Sequence, residues 1–128
     1  MEKEDLRVGN VVSHIITGEP VIIRSLTNYS VMVCSETCNN KTLYYENIIG
    51  IRITDEWLQE IGLKQVGYMK EGNYYLPNNK YIIGNEQANG MRTISILLGE
   101  DEFFITNRCN YRHELVNLYY ALCGEILY

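Results

Sequence analysis

The strongest helical pattern in the chain is its last one. Leu115, Leu118, Tyr119 and Leu122 fall at i, i+3, i+4 and i+7, one face of a helix. Val116, Tyr120 and Cys123 lie beside that face. At about 100° per residue the joint apolar arc is roughly 200° wide, where a surface helix needs roughly 100°. Asn110 suits the N-cap, because its side chain can accept from an unpaired N–H of the first turn. Gly124 suits the left-handed residue that ends many helices. One face is expected to pack on the protein's own sheet. The excess, Val116, Tyr120 and Cys123, fits the interface of a homo-oligomer. It also fits a helix buried on two sides within one domain, covered by the tail Ile126-Leu127-Tyr128.

Upstream, the pattern shortens to strands. Val8 to Ile16, Val21 to Ser25, Tyr29 to Ser35, Lys41 to Tyr45 and Gly50 to Ile53 read as five short strands with tight turns. Val31-Met32-Val33-Cys34 shows no alternation, so both of its faces are expected to be covered. Glu46-Asn47-Ile48 suits one helical turn. Such a run predicts a small SH3-like barrel, with a plain antiparallel sheet as the alternative. Thr54 to Gly62 then reads as a short helix. Thr54 is its cap, Asp55 and Glu56 sit at the positive end of its dipole, and Trp57, Leu58 and Ile61 share a face. Strands return at Lys64 to Lys70, Asn73 to Leu76, Lys80 to Asn85, Met91 to Leu98 and Glu102 to Thr106. Turn residues separate them: Glu71-Gly72, Pro77-Asn78-Asn79, Asn89-Gly90 and Gly99-Glu100-Asp101.

The predicted fold class is therefore α+β: an N-terminal SH3-like small β-barrel, a short linking helix, an antiparallel β-meander, and a C-terminal helix packed on that sheet. The predicted division is residues 1–53 for the barrel and 54–128 for helix, sheet and helix, together one cooperative unit. A chain of 128 residues buries enough surface to fold without disulfides. The formal charge of −5 argues against non-specific nucleic-acid binding, which needs a positive field. The opening Met-Glu-Lys-Glu-Asp is charged and has no apolar run behind it, unlike a secretory signal. No run approaches the length of a membrane span. A cytoplasmic protein with reduced cysteines is expected.

Three stretches carry a resemblance. Leu6-Arg7-Val8-Gly9-Asn10, then Thr54-Asp55-Glu56-Trp57-Leu58 with Gly62-Leu63, and finally His113-Glu114-Leu115 through Asn117-Leu118-Tyr119-Tyr120-Ala121-Leu122 to Gly124-Glu125 follow a joint pattern. It runs LRxGN, T-x-E-W-L and L-x-N-L-Y-x-A-L-x-G-E. It resembles a group of small uncharacterised proteins of Bacteroidetes-type gut bacteria, their phages and mobile elements. The resemblance implies a shared fold and a phage or mobile-element setting. It implies no activity and supplies no site residues.

Candidate chemistry is sparse. Cys34-x-x-x-Cys38 with Cys109-x-x-x-His113 could supply four zinc ligands, but the spacing lacks the common Cys-x-x-Cys form, and small buried cysteines explain it better. No resident cofactor is expected. No catalytic residues are nominated, because nothing in the sequence places His14 or His113 beside a nucleophile and an acid. For an anionic, nucleotide-like ligand the available guanidiniums are Arg24, Arg52, Arg92, Arg108 and Arg112. Tyr44, Tyr45, Tyr74, Tyr75 and Tyr81 could stack on a base. The same tyrosines are equally good sheet residues. The expected function is non-enzymatic binding, either sequestration of a small nucleotide-like host signal in anti-defence or docking of a host protein. An enzyme ranks third.

Overall fold

A computed structural model describes residues 1, 3–37, 39–66 and 73–127. The chain is mixed α+β and divides into two compact units. The first comprises Met1–Arg52 and Tyr111–Gly124, the second Ile53–Asn110 and Glu125–Tyr128. No described helix is long and apolar enough to cross a membrane.

The first unit is an antiparallel sheet of β1 (Val11–His14), β2 (Pro20–Leu26), β3 (Ser30–Cys34), β4 (Lys41–Tyr44) and β5 (Ile48–Ile49), with a 3-10 turn at Tyr45–Asn47. Its order is β4-β3-β2-β1-β5. The sheet is not closed: among the described residues β4 and β5 form its two free edges. Alternation sets its inner face. Val12, Val21, Ile23, Val31, Val33, Leu43 and Ile48 are buried together with Leu6. Met32 sits between two buried valines yet is 41% exposed, so β3 is covered on one face and not on both. The β1–β2 turn rests on Gly18 at φ +71°, a conformation glycine adopts without steric cost.

The closing helix α2 (Arg112–Cys123) belongs to this first unit and packs against β1. This differs from the expectation that it packs on the second sheet. What ties it to the N-terminal sheet is a pair of asparagines. Asn10 Nδ2 donates to Asn117 Oδ1 at 2.9 Å, and Asn117 Nδ2 donates to Asn10 Oδ1 at 3.0 Å. Asn10 Oδ1 also accepts from Arg7 N–H at 2.8 Å, and Asn117 donates to the Asp5 carbonyl at 3.2 Å. The first and last of the three motif stretches therefore meet in one amide pair, buried at Asn10 and half-buried at Asn117. The N-cap is Tyr111 rather than Asn110, and Glu114 accepts from the Tyr111 N–H at 2.8 Å. Gly124 ends the helix in the left-handed conformation, as expected. His113, Leu115 and Tyr119 form its buried stripe.

The second unit opens with α1 (Asp55–Glu60), capped by Thr54, whose Oγ1 accepts from Trp57 N–H at 3.2 Å. Its sheet is β6 (Lys64–Gln65), β7 (Tyr74–Tyr75), β8 (Tyr81–Ile83), β9 (Arg92–Leu98) and β10 (Asp101–Cys109), paired antiparallel in sequential order. This is the expected meander. The Glu71-Gly72 turn and the end of the strand drawn to Lys70 lie outside the described residues. Tyr81, Ile82 and Ile83 are all buried, so β8 is covered on both faces.

Candidate functional site

The nominated residues fall into both units and do not converge on the pockets described below. In the second unit Tyr74 and Tyr81 are buried and Tyr75 is half-buried. Tyr74 Oη accepts from Gln59 Nε2 at 3.2 Å. Arg92 is 4% exposed; its Nη2 meets Asp55 Oδ1 at 3.0 Å and its Nη1 donates to the Gly84 carbonyl at 3.2 Å. That guanidinium is neutralised and held by its own unit. Arg108 is exposed at the far end of β10. In the first unit Tyr44 and Arg52 are exposed and Arg112 is half-buried. Arg24 sits at a break in the β2–β3 register and donates through Nε to Cys34 Sγ at 3.0 Å. Tyr45 donates its hydroxyl to the Thr27 carbonyl; burial first, and then nearby Glu4, raises its pKa above the ordinary value.

The cysteine–histidine constellation is not assembled. Among the described residues no group of three or more His, Cys, Asp or Glu is placed to hold a metal. Cys34 is taken up by Arg24, Cys109 is buried in the second unit, and Cys38 lies outside the described residues. His113 is buried on α2 and stacks on Tyr111 with ring centres 5.8 Å apart. Gly50 makes this stack possible, since a Cβ there would stand 2.5 Å from Tyr111 Cγ and 2.9 Å from His113 Cε1. Burial lowers the His113 pKa, with Glu114 and Asp5 pulling the other way. Of the proposed oligomer residues, Val116 and Cys123 are half-buried and Tyr120 is 55% exposed.

Two features of the structure lie outside the nominated residues. The first is a polar pocket of about 280 Å³ in the first unit, lined by His14, Glu19, Ser35, Thr37 and Lys41 over Val21 and Val33. Thr37 Oγ1 donates to Glu19 Oε1 at 2.6 Å. Hydrogen bonds from Thr37 and Ser35, with Lys41 and His14 nearby, hold the Glu19 carboxyl below its ordinary pKa. His14 Nδ1 accepts from the Ile16 N–H at 3.1 Å, which in the neutral ring leaves the proton on Nε2. On the outer side of Glu19 and Thr37 lies a wider groove of about 720 Å³, floored by Val11, Ile22 and Cys34. None of the nominated arginines or tyrosines lines either one.

The second is the free edge of β10. This strand has a neighbour, β9, on one side only among the described residues. The chain comes back beside it at its very end, where Ile53 N–H donates to the Asn110 carbonyl at 3.0 Å. Phe103, Phe104 and Ile105 are 52%, 75% and 37% exposed, and Leu98 across the turn is 58% exposed. Both phenylalanines of the chain thus stand in water. Two register shifts against β9, after Phe104 and after Thr106, break the alternation and turn neighbouring side chains outward. Beside the ribbon is a hollow of about 430 Å³ lined by Thr93, Phe104, Ile105 and Thr106. The signal in the sequence was Phe-Phe-Ile, an unbroken apolar run in a strand otherwise flanked by charge.

Comparison of the chain with protein-family models, with curated proteins and with solved structures finds no match.

Proposed function

We propose that the protein is a non-enzymatic protein-interaction module that takes up an extended polypeptide segment along β10. One observation carries this reading: a nine-residue edge strand with Phe103, Phe104 and Ile105 exposed in a row. Edge strands offer unpaired N–H and C=O groups, and natural proteins usually blunt them with charge, proline or brevity. An added strand would gain main-chain hydrogen bonds for affinity and apolar contacts for choice of partner. Sequestration of a nucleotide-like signal has weaker support, because Arg92, Tyr74 and Tyr81 are committed to the second unit's interior and the described pockets hold none of the nominated residues. For the first unit, the order β4-β3-β2-β1-β5 with a 3-10 turn before β5 supports an SH3-like arrangement.

A display library of nine-residue peptides, selected on the intact chain and counter-selected on a Phe104→Lys, Ile105→Lys variant, tests the reading. Peptides that bind the natural edge and protect β10 amides from exchange are expected. Selection that yields only peptides indifferent to the two lysines would overturn it.

A further inference from the structure

We propose that the segment β10 receives is β10 of a second copy; this rests on the edge-docking reading and names its partner. The strand runs Asp101-Glu102-Phe103-Phe104-Ile105-Thr106-Asn107-Arg108-Cys109, acidic at its start and basic near its end. Antiparallel pairing of two identical strands sets the start of each against the end of the other. With the two-fold axis at Ile105, Glu102 of each copy stands opposite Arg108 of the second copy. Opposite charges directly across a strand pair stabilise it, and like charges destabilise it.

The apolar centre fits the same operation. Phe104 stands opposite Thr106 of the second copy, beside the hollow lined by Thr93, Phe104, Ile105 and Thr106. The most exposed phenylalanine of each copy therefore meets the hollow of the other. Ile105, the residue left over in the ladder with β9, lies at the symmetry centre. Such a contact is isologous and closes at two copies. At the opposite edge of the sheet, the described residues of β6 are Lys64–Gln65, both polar and exposed.

The test uses two charge variants of the full chain and analytical ultracentrifugation. The natural chain is expected to form dimers. Arg108→Glu and Glu102→Arg should each weaken self-association about tenfold, because both symmetric pairs turn repulsive. Mixed one to one, the two variants should recover a heterodimer, since every cross-strand pair is then opposite in sign. Recovery also shows that neither variant is merely unfolded, a needed control because Glu102 accepts from Ser95 Oγ at 2.5 Å. A natural chain that stays monomeric while the peptide library still yields edge binders overturns this proposal and leaves the edge-docking reading standing. A dimer that both charge variants form as well as the natural chain overturns it too. A monomer with no edge-binding peptides overturns both.

Discussion

The two units are built from the same material and differ in how their sheets end. Each has five antiparallel strands. The first unit is assembled from both parts of the chain, with α2 returning to β1, and its edge strands β4 and β5 are four and two residues long. Lys41, Thr42 and Tyr44 expose β4's outer side chains to water. The second unit is a simple meander in chain order, with edges of two and nine residues among those described. Among the described residues three edges are thus short and one is long and apolar. Brevity costs little and removes a docking strip, so the exception is the edge on which the proposed docking rests. The units also differ in how they satisfy buried polar groups. The first uses a neutral amide pair, Asn10 with Asn117; the second uses a buried guanidinium, Arg92, against a half-exposed Asp55.

That contrast can be broken at several points. The largest effect is expected from Asp55→Ala, which strands the Arg92 charge; removing one partner of a buried pair costs about 3–5 kcal/mol, and the 51% exposure of Asp55 places this case at the lower end. Chemical denaturation should show it, with amide exchange in β8 and β9 rising first. Gly50→Ala comes next, because Tyr111 and His113 must move to admit a methyl group; overpacking of this kind costs about 1–3 kcal/mol. Amide exchange should then rise in the first unit. Asn117→Ala leaves Asn10 without its amide partner, for a loss of about 1–3 kcal/mol. A loss as large as that of Asp55→Ala would mean that the neutral and charged anchors are equivalent.

A smaller effect is the pH dependence from His113. Burial holds its folded pKa below the 6.5 of a free histidine, so the unfolded chain takes up a proton that the folded chain refuses. Stability from this group is complete above about pH 6.5 and falls as pH drops toward the folded pKa. Melting temperatures followed from about pH 7.5 to 5 should decline, and His113→Phe should flatten that part of the curve. Smallest of all is Tyr120→Glu, expected to leave self-association unchanged because the proposed contact is on β10. If Tyr120→Glu abolishes the dimer while Arg108→Glu does not, the interface is the helix face and the contrast between edges loses its meaning.

Local chemistry determined much of this protein. The first four early strands, the Thr54 cap, the sequential meander and the Gly124 stop were legible because each depends on residues close in sequence: alternation, a hydroxyl before a helix, a glycine at positive φ. The fifth strand, expected at Gly50 to Ile53, forms instead at Ile48–Ile49, where the chain pairs with β1 straight after the 3-10 turn, and Arg52 makes only an isolated bridge to Tyr111. The 3-10 turn was legible within one residue, at Tyr45–Asn47. What sequence could not decide was which distant parts meet. A two-sided apolar helix does not name its sheet; Asn10 and Asn117, more than a hundred positions apart, decided that α2 lies on β1. A tyrosine or arginine reads alike whether it binds a ligand or fills a core, and packing alone settled Tyr74 and Arg92 as interior. Phe103-Phe104-Ile105 read as an ordinary strand, because exposure follows from the neighbours a strand acquires. Only the tertiary structure showed β10 with one neighbour among the described residues and its phenylalanines in water.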